Sequence, residues 1–468
     1  MIMSQFLIRD DVIMTKPNSA AIILAAGKGA RMLSDKPKVL HNVGGLSMIG
    51  HLINATKNIK KTIVIVGHGR EDVEAEITRL HANISTVPQT QQLGTGHAVL
   101  QAEQILQGFE GDVAILNGDV PLLTPELLDV LMAEHTTQQN TVTVLTTHVP
   151  DPTGLGRILR GRNGAFQSIV EHKDATTEQR LIQEINTGIY LVKTPALFEL
   201  LHKVTNKNAS GEFYLTDIIA LANANNDKVN TYHTEDGLAL LGVNTPAQLA
   251  EAEAIFQLRQ RQKALEKGVF LKDPTSTFFN HDTTLGAGTT VGPNVQFLEG
   301  VDVGENCALE GNSVLKNTTL EPNTNILSFC HLEGAYVAQG ATVGPFARLR
   351  SGSNLGQNSK VGNFCEVKNT TLGAGSKASH LTYLGDAEIG MNVNIGAGTI
   401  TCNYDGTNKH KTTIENGAFI GSNTSLVAPV KIGEGALIGA GATIRKDVGT
   451  EQLAFTATAQ KQTAKKKV

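Results

Sequence analysis

Residues 414–444 read IENGAFIGSNTSLVAPVKIGEGALIGAGATI, and an aliphatic side chain returns at every sixth position, at Ile414, Ile420, Leu426, Ile432, Ile438 and Ile444. The same beat runs from Leu285 through Val291, Phe297, Val303 and Leu309 to Leu315, and again through Val343, Leu349, Leu355, Val361 and Val367. A helix repeats its apolar face at steps of three and four, and a half-buried strand at two, so a sustained period of six fits neither. It fits a parallel β-helix, in which each short strand turns a corner and one aliphatic side chain per face stacks inward on its copies in neighbouring coils. Gly follows the stacked residue at Ile395-Gly396, Ile420-Gly421, Ile432-Gly433 and Ile438-Gly439. The expectation is that the corner demands backbone angles that other residues resist.

At 468 residues the chain exceeds one ordinary core and calls for two or three domains. No apolar run approaches about 18 residues, so the sequence offers no membrane span. Its four cysteines, Cys307, Cys330, Cys365 and Cys402, all fall in the repeat half with neither CxxC pairing nor zinc spacing, which points to reduced thiols in a cytoplasmic protein. A net charge of -4 gives no reason to expect nucleic acid as a partner. The start, Met1 to Met14, is interrupted by Arg9, Asp10 and Asp11 and lacks a small-residue cleavage site, so it makes a poor signal peptide. Residues 1–18 read as a disordered extension, or as the product of a start assigned upstream of Met14.

The first half alternates differently. Ala21–Leu24, Thr62–Val66, Val113–Leu116 and Val142–Leu145 are short apolar runs separated by segments long enough for helices. That is the pattern of an α/β domain, Rossmann-like, with a mainly parallel sheet covered on both faces. Thr245-Pro246-Ala247-Gln248 then supplies an N-cap, a proline at the first helical position and a capping-box glutamine. No Gly or Pro follows until Gly268, so a long linker helix is expected over 246–267. The organisation read from these signals is an α/β domain at 19–245, the linker, a β-helix at 268–452 and a basic tail at 453–468.

The first strand runs straight into Leu24-Ala25-Ala26-Gly27-Lys28-Gly29-Ala30-Arg31, with Pro37-Lys38-Val39-Leu40 close behind. Small residues let main-chain N–H groups approach a polyphosphate, and Arg31 and Lys38 add the fixed cations that phosphoryl chemistry needs. Neither common nucleotide fingerprint, GxGxxG or GxxxxGK[ST], is present. A tight turn would explain the loop equally well were it not placed directly after the first strand.

The loop with Lys38 resembles the nucleotide loop of sugar-nucleotide pyrophosphorylases, and Gln92-Leu93-Gly94-Thr95-Gly96-His97-Ala98 and Asn117-Gly118-Asp119-Val120-Pro121 match that family's next motifs in order. Further motifs are Ile169 to Ala175, Glu184 to Gly188, Gly344 to Arg350 and His380 to Ala387. Joined to the repeat half, they resemble the bacterial bifunctional enzymes that combine N-acetylglucosamine-1-phosphate uridyltransferase with glucosamine-1-phosphate acetyltransferase, over about Ser19 to Val448. The resemblance implies a nucleotidyltransferase domain followed by a left-handed parallel β-helix of hexapeptide repeats.

For the first site it implies uridylyl transfer from UTP to N-acetylglucosamine 1-phosphate, an in-line attack between anions that Mg2+ would screen. Asp119 and the side-chain carbonyl of Asn244 fall at the metal positions, and hard oxygen ligands suit that ion. Leu24, Ala25, Ala26, Gly27, Arg31 and Lys38 match the phosphate loop. Gln89, Gly94 and Thr95 fall where the family reads uracil, Asn117 and Gly118 precede the metal ligand, and Gly156, Glu171 and Asn186 fall where it holds the sugar. Asn117 departs from relatives that carry Tyr there, which leaves its backbone role the firmer.

For the second site it implies acetyl transfer from acetyl-CoA to glucosamine 1-phosphate. The attacking amine must lose a proton, and histidine is the natural acceptor near neutral pH. Of fourteen histidines the match singles out His380. Arg350 and Lys368 sit where the family grips the sugar phosphate, Tyr383 and Asn394 where it holds the sugar, and Ala397, Asn403, Tyr404, Ser422 and Ala440 where it meets acetyl-CoA. The stretch from Cys402 to His410 breaks the six-residue beat and is expected to leave one corner as a loop. Ala457 stands where relatives place an Arg for the 3′-phosphate of CoA, with Lys461, Lys465, Lys466 and Lys467 nearby as a diffuse replacement. Such acyltransferases are generally trimers, so a homotrimer is expected. Two alternatives stay open: a monofunctional sugar-1-phosphate nucleotidyltransferase with a structural β-helix, and a non-catalytic solenoid scaffold.

Overall fold

In the computed structural model, which describes residues 18–81, 83–456 and 462–463, the four apolar runs of the first half become strands of one sheet. Its order is Val229–His233, Val142–His148, Glu184–Lys193, Asp112–Asn117, Ser19–Ala25, Lys61–Val66, Ser85–Pro88. Every pairing along that path is parallel except the two made by Glu184–Lys193, which runs antiparallel to both neighbours. Alternate residues of Ser19–Ala25 serve opposite layers: Ala20 and Ile22 join one buried cluster, Ala21, Ile23 and Ala25 the other. A strand covered on both faces has no polar side, hence its continuous apolar sequence.

The chain divides into two compact units after Phe256, within a helix spanning Pro246–Glu266. Thr245 caps it through a 3.2 Å bond from the Gln248 N–H, and Gln248 Oε1 accepts one from the Asn244 N–H at 2.8 Å. In the first unit Ala252 and Phe256 pack with Val43, Met48, Leu122 and Val243. In the second, Ala264 joins the repeat core and Gln257 bonds both the N–H and the carbonyl of Phe279.

The second unit is a left-handed parallel β-helix of three sheets, one of eleven strands and two of nine. Successive coils advance 17 or 18 residues, as in Thr290 to Ala308 and Ala308 to Asn325. Every residue of the beat from Val291 onward is buried in one continuous stack, and Leu285 packs against it. The beat lapses at Leu315 to Leu320, Leu332 to Val337, Val367 to Leu372 and Leu384 to Ile389, because a 17-residue coil drops one residue at one corner. One step is far longer: Asn394 pairs with Phe419, 25 positions on, so the extra residues around 403–410 leave the prism as a hairpin.

The reason expected for the recurrent glycines is corrected. Gly396, Gly421, Gly433 and Gly439 do not have positive φ. A Cβ on Gly396, Gly421 or Gly433 would lie 2.5 Å from a backbone nitrogen of the next coil, so they serve close coil approach rather than unusual dihedrals. Left-handed corners are taken instead by Asn294, Asn312, Asn358, Asn392 and Asn423, and, on one edge, by Phe329, Phe346, Phe364 and Leu381. The extension 1–17, Ala457 and Lys461, Lys465, Lys466 and Lys467 lie outside the described residues.

Candidate active sites

The central parallel strands set the first site. Leu24 is registered against Asn117 and Ala25 against Val66, and the crevice outside the carboxyl ends of such strands is the usual ligand position of an open α/β sheet. A cavity of about 350 Å³ opens there, lined by Leu24, Ala25, Ala26, Gly27, Lys38, Gln89, Gly94, Thr95, Asn117, Gly118 and Asp119. All were expected from sequence. Val39, Gln92, Ala98 and Glu212 line it as well. Gln92, inside the motif but not singled out, donates to the Ala26 carbonyl at 2.8 Å and so steadies the loop after the first strand. Arg31 is exposed and does not line the cavity.

Lys38 Nζ lies 2.5 Å from Asp119 Oδ2 and 3.0 Å from Asn244 Oδ1. The segment carrying Asn244 is pinned by the Val243 N–H to the Asp119 carbonyl at 2.8 Å. Two hard oxygens thus converge on one cationic nitrogen beside an open cavity. They fit a magnesium ion that takes its remaining ligands from phosphate and water. Among the described residues no three His, Cys, Asp or Glu side chains converge on such a point, so the fit rests on this pair.

Gly156, Glu171 and Asn186 form a second cluster. The Asn186 N–H donates to the Gly156 carbonyl at 3.0 Å, and a Cβ on Gly156 would stand 3.6 Å from the Glu171 carboxylate. Burial pushes the Glu171 carboxyl above its ordinary range, opposed by a 3.3 Å bond from Thr216. Asn186 Oδ1 accepts from the Gly188 N–H at 2.9 Å and its Nδ2 donates to the Tyr190 hydroxyl at 2.6 Å. The strand shifts register between Asn186 and Tyr190, and at Gly188 (φ 80°) a Cβ would collide with Asn117 Nδ2, 2.0 Å away. The second cluster and the cavity therefore meet at Asn117. Tyr190 carried no signal in the sequence because it reads as an ordinary core position of a strand.

In the β-helix, His380, Ala397, Ser422 and Ala440 occupy equivalent positions of successive coils. The His380 carbonyl accepts from the Gly398 N–H, Ala397 from Asn423 at 2.7 Å, and Ser422 from Gly441 at 2.7 Å. His380 Nδ1 lies 2.5 Å from Asn363 Oδ1, its registered neighbour one coil earlier. An amide oxygen is an acceptor, so Nδ1 carries the hydrogen and Nε2 keeps a lone pair for an incoming proton.

The adjoining face holds Tyr383, registered on Glu366, with Arg350 Nη1 2.9 Å from Glu366 Oε1. A Cβ on Gly385 would touch the Tyr383 hydroxyl and stand 2.8 Å from Asn403 Nδ2, so the bare glycine gives both side chains their places. Asn403 is tied to Asp386 and buried, whereas Tyr404 is exposed. Lys409, in the hairpin, was not singled out from sequence. It adjoins Lys368, whose charge holds the Lys409 ammonium below the usual lysine range. Asn394 is not brought to this group: it faces outward from the sheet that carries Lys377 and Phe419, a different wall from Tyr383.

Residues 21–188 match the MobA-like NTP transferase domain, 411–446 the bacterial transferase hexapeptide (six repeats), and 282–317 the hexapeptide repeat of succinyl-transferase. Among full-length relatives, the bifunctional protein GlmU of Shouchella clausii is 43% identical, covering 94% of this chain and 96% of its own. Those of Acinetobacter baumannii strain AYE and Paracoccus denitrificans are each 46% identical, covering 94% of this chain and 96% and 94% of their own.

Proposed function

The chain belongs to the family of the bifunctional protein GlmU, and we propose that its two candidate sites divide the family's two reactions. The enzyme transfers acetyl from acetyl-CoA to glucosamine 1-phosphate, and uridylyl from UTP to N-acetylglucosamine 1-phosphate with release of pyrophosphate.

The first cavity takes UTP. The loop Leu24–Gly27 lies along the phosphates, Lys38 supplies a fixed cation, and Gln89, Gly94 and Thr95 face the base. Gly156, Glu171 and Asn186 hold the sugar so that its phosphate oxygen lies in line with the α-phosphorus and pyrophosphate departs on the opposite side. Magnesium held by Asp119 and Asn244 would neutralise charge on the phosphates.

At the second site His380 Nε2 accepts the proton of the amine as it attacks the thioester carbonyl. Asn363 holds the tautomer, and Arg350, Lys368 and Lys409 face the sugar phosphate. Ala397, Ser422 and Ala440 give one corner along which acetyl-CoA lies, and the hairpin residues Asn403 and Tyr404 flank it. The observation that carries this reading is that one edge of the prism aligns His380 with those three positions.

A homotrimer completes the second site. Asn394 and Tyr383 lie on different walls, and a convex prism cannot turn both toward one ligand, whereas a neighbouring copy can. The edge between these walls bears Phe329, Phe346, Phe364 and Leu381, about half exposed, at φ of 51–62°, with ring pairs 4.8 and 5.3 Å apart. Bulky residues in strained, exposed positions are explained by burial against a partner. Among the described residues no helix is long and apolar enough to cross a membrane. We place the enzyme in the cytoplasm, with its small-molecule substrates. Parallel assays of pyrophosphate release from UTP and free thiol from acetyl-CoA test the pair of activities. Loss of either would reduce the chain to a monofunctional enzyme.

A further inference from the structure

The hairpin that leaves the prism after Cys402 is closed by one carboxylate. Asp405 Oδ1 accepts from the backbone N–H of Thr407 at 2.8 Å and of Asn408 at 2.7 Å, and Oδ2 accepts from His410 Nε2 at 2.6 Å. Around this hub the Asp405 N–H donates to the Asn408 carbonyl at 3.2 Å and the His410 N–H to Asn403 at 2.8 Å, while Tyr404 and Lys409 pair as an antiparallel bridge. Three donors hold the Asp405 carboxyl well below the usual carboxylate range. Residues 404–409 are all exposed, so this turn is shaped by those hydrogen bonds rather than by burial in a core.

What the turn carries is Lys409. It lines one cavity with Asp386, whose N–H donates to the Lys368 carbonyl at 3.1 Å, and the Lys409 and Lys368 ammonium groups act on each other there. Two ammonium groups side by side repel until an anion lies against both, and a phosphate monoester has charge and oxygens enough to do so. The Asp405 carboxylate ties Thr407 and Asn408 on one side of Lys409 to His410 on the other.

We propose that Asp405, with His410 as its latch, is a positioning pair of the acetyl-transfer site, holding Lys409 beside Lys368 to receive the phosphate of the amino-sugar substrate. The inference rests on the acetyl-transfer reading of this site. It acts through placement, since neither residue reaches the reacting atoms.

The test uses the full chain and three variants: Asp405→Asn, His410→Phe, and His410→Gln, whose amide nitrogen can replace the imidazole Nε2 donor. Thiol release gives kcat and KM, with pyrophosphate release as the control for folding. Loss of a charge-assisted contact predicts an increase of about tenfold in KM for glucosamine 1-phosphate in Asp405→Asn. The kcat at saturation should stay within about threefold, because His380 stands outside the hairpin. His410→Phe should follow in the same direction and His410→Gln should recover near wild-type KM. An unchanged KM in Asp405→Asn, or His410→Phe matching His410→Gln, overturns the proposal. If the wild-type chain releases no thiol, the acetyl-transfer reading fails, and calorimetry with inorganic phosphate decides the clasp: weaker binding by Asp405→Asn upholds it, and equal binding overturns it.

Discussion

The Lys38 ammonium lies 2.5 Å from Asp119 Oδ2, with the two side chains only 13% and 18% exposed. A part-buried cation whose carboxylate is removed keeps its desolvation cost and loses its partner. Asp119→Ala should therefore do two things at once: strip the candidate metal of a hard ligand and leave Lys38 held by Asn244 alone. We expect uridylyl transfer to fall by about 10²-fold or more, with acetyl transfer within about twofold of wild type. Pyrophosphate and thiol assays on one preparation check it. Parallel loss of both activities would mean that the two units are not independent.

His380→Ala should do the converse, lowering acetyl transfer by about 10²-fold or more and sparing pyrophosphate release. The 2.5 Å contact to Asn363 adds a sharper expectation. Asn363→Ala leaves the imidazole in place but unfixed in tautomer and orientation, so kcat should drop by about tenfold, within the range of lost orienting partners. Full activity in Asn363→Ala would show that the ring needs no such partner.

The period of six was enough to find the β-helix because every sixth side chain points into one narrow stack, and Val291 through Leu315 and Ile414 through Ile444 are all buried there. It could not show the 17-residue coils, since the residue lost lies at a corner where no side chain is buried. The role of Gly396 and its counterparts was misread for a related reason: close approach between coils depends on residues one coil away, which a local motif does not display. At the first site the expected lining residues are found together because Leu24–Gly27 and Asn117–Asp119 lie at the carboxyl ends of two adjacent central strands, and the connecting segments bring Lys38, Gln89, Gly94 and Thr95 to them. Arg31 is not among them, being on an exposed turn. Tyr190 and Lys409 were invisible for opposite reasons, one hidden as strand core and the other in a loop without periodicity.

Two kinds of glycine give a stability prediction. Gly421→Ala sets a Cβ 2.5 Å from the Ala440 nitrogen, where no flexible side chain can yield. Overpacking of this kind costs about 1–3 kcal/mol. Gly441 has φ of 72° and open space around its missing Cβ, on the corner where Asn423 holds the same conformation one coil earlier. Gly441→Asn should be nearly neutral, within about 0.5 kcal/mol. Denaturant unfolding of both variants checks the contrast, and equal destabilisation would refute the distinction.

Glu171 offers a pH test. Burial is the largest influence on its carboxyl and raises its pKa in the folded chain, with Asp174 and Asp217 acting in the same direction and Thr216 and Arg157 against. Between the ordinary carboxylate value and the raised one, the folded chain binds more protons than the unfolded chain at this site, so stability falls as pH rises through that window. Above the folded value the whole penalty is present; below the unfolded value none is. Glu171→Gln has no proton to lose, so it should be more stable than wild type at pH 8, by a margin that shrinks as pH falls toward 5. The same variant loses the anionic acceptor of the proposed sugar site, and KM for N-acetylglucosamine 1-phosphate should rise by about tenfold. Thermal unfolding across that pH range, beside uridylyl-transfer kinetics, reads both effects. A stability margin constant with pH would show that Glu171 titrates in the folded chain as it does in water.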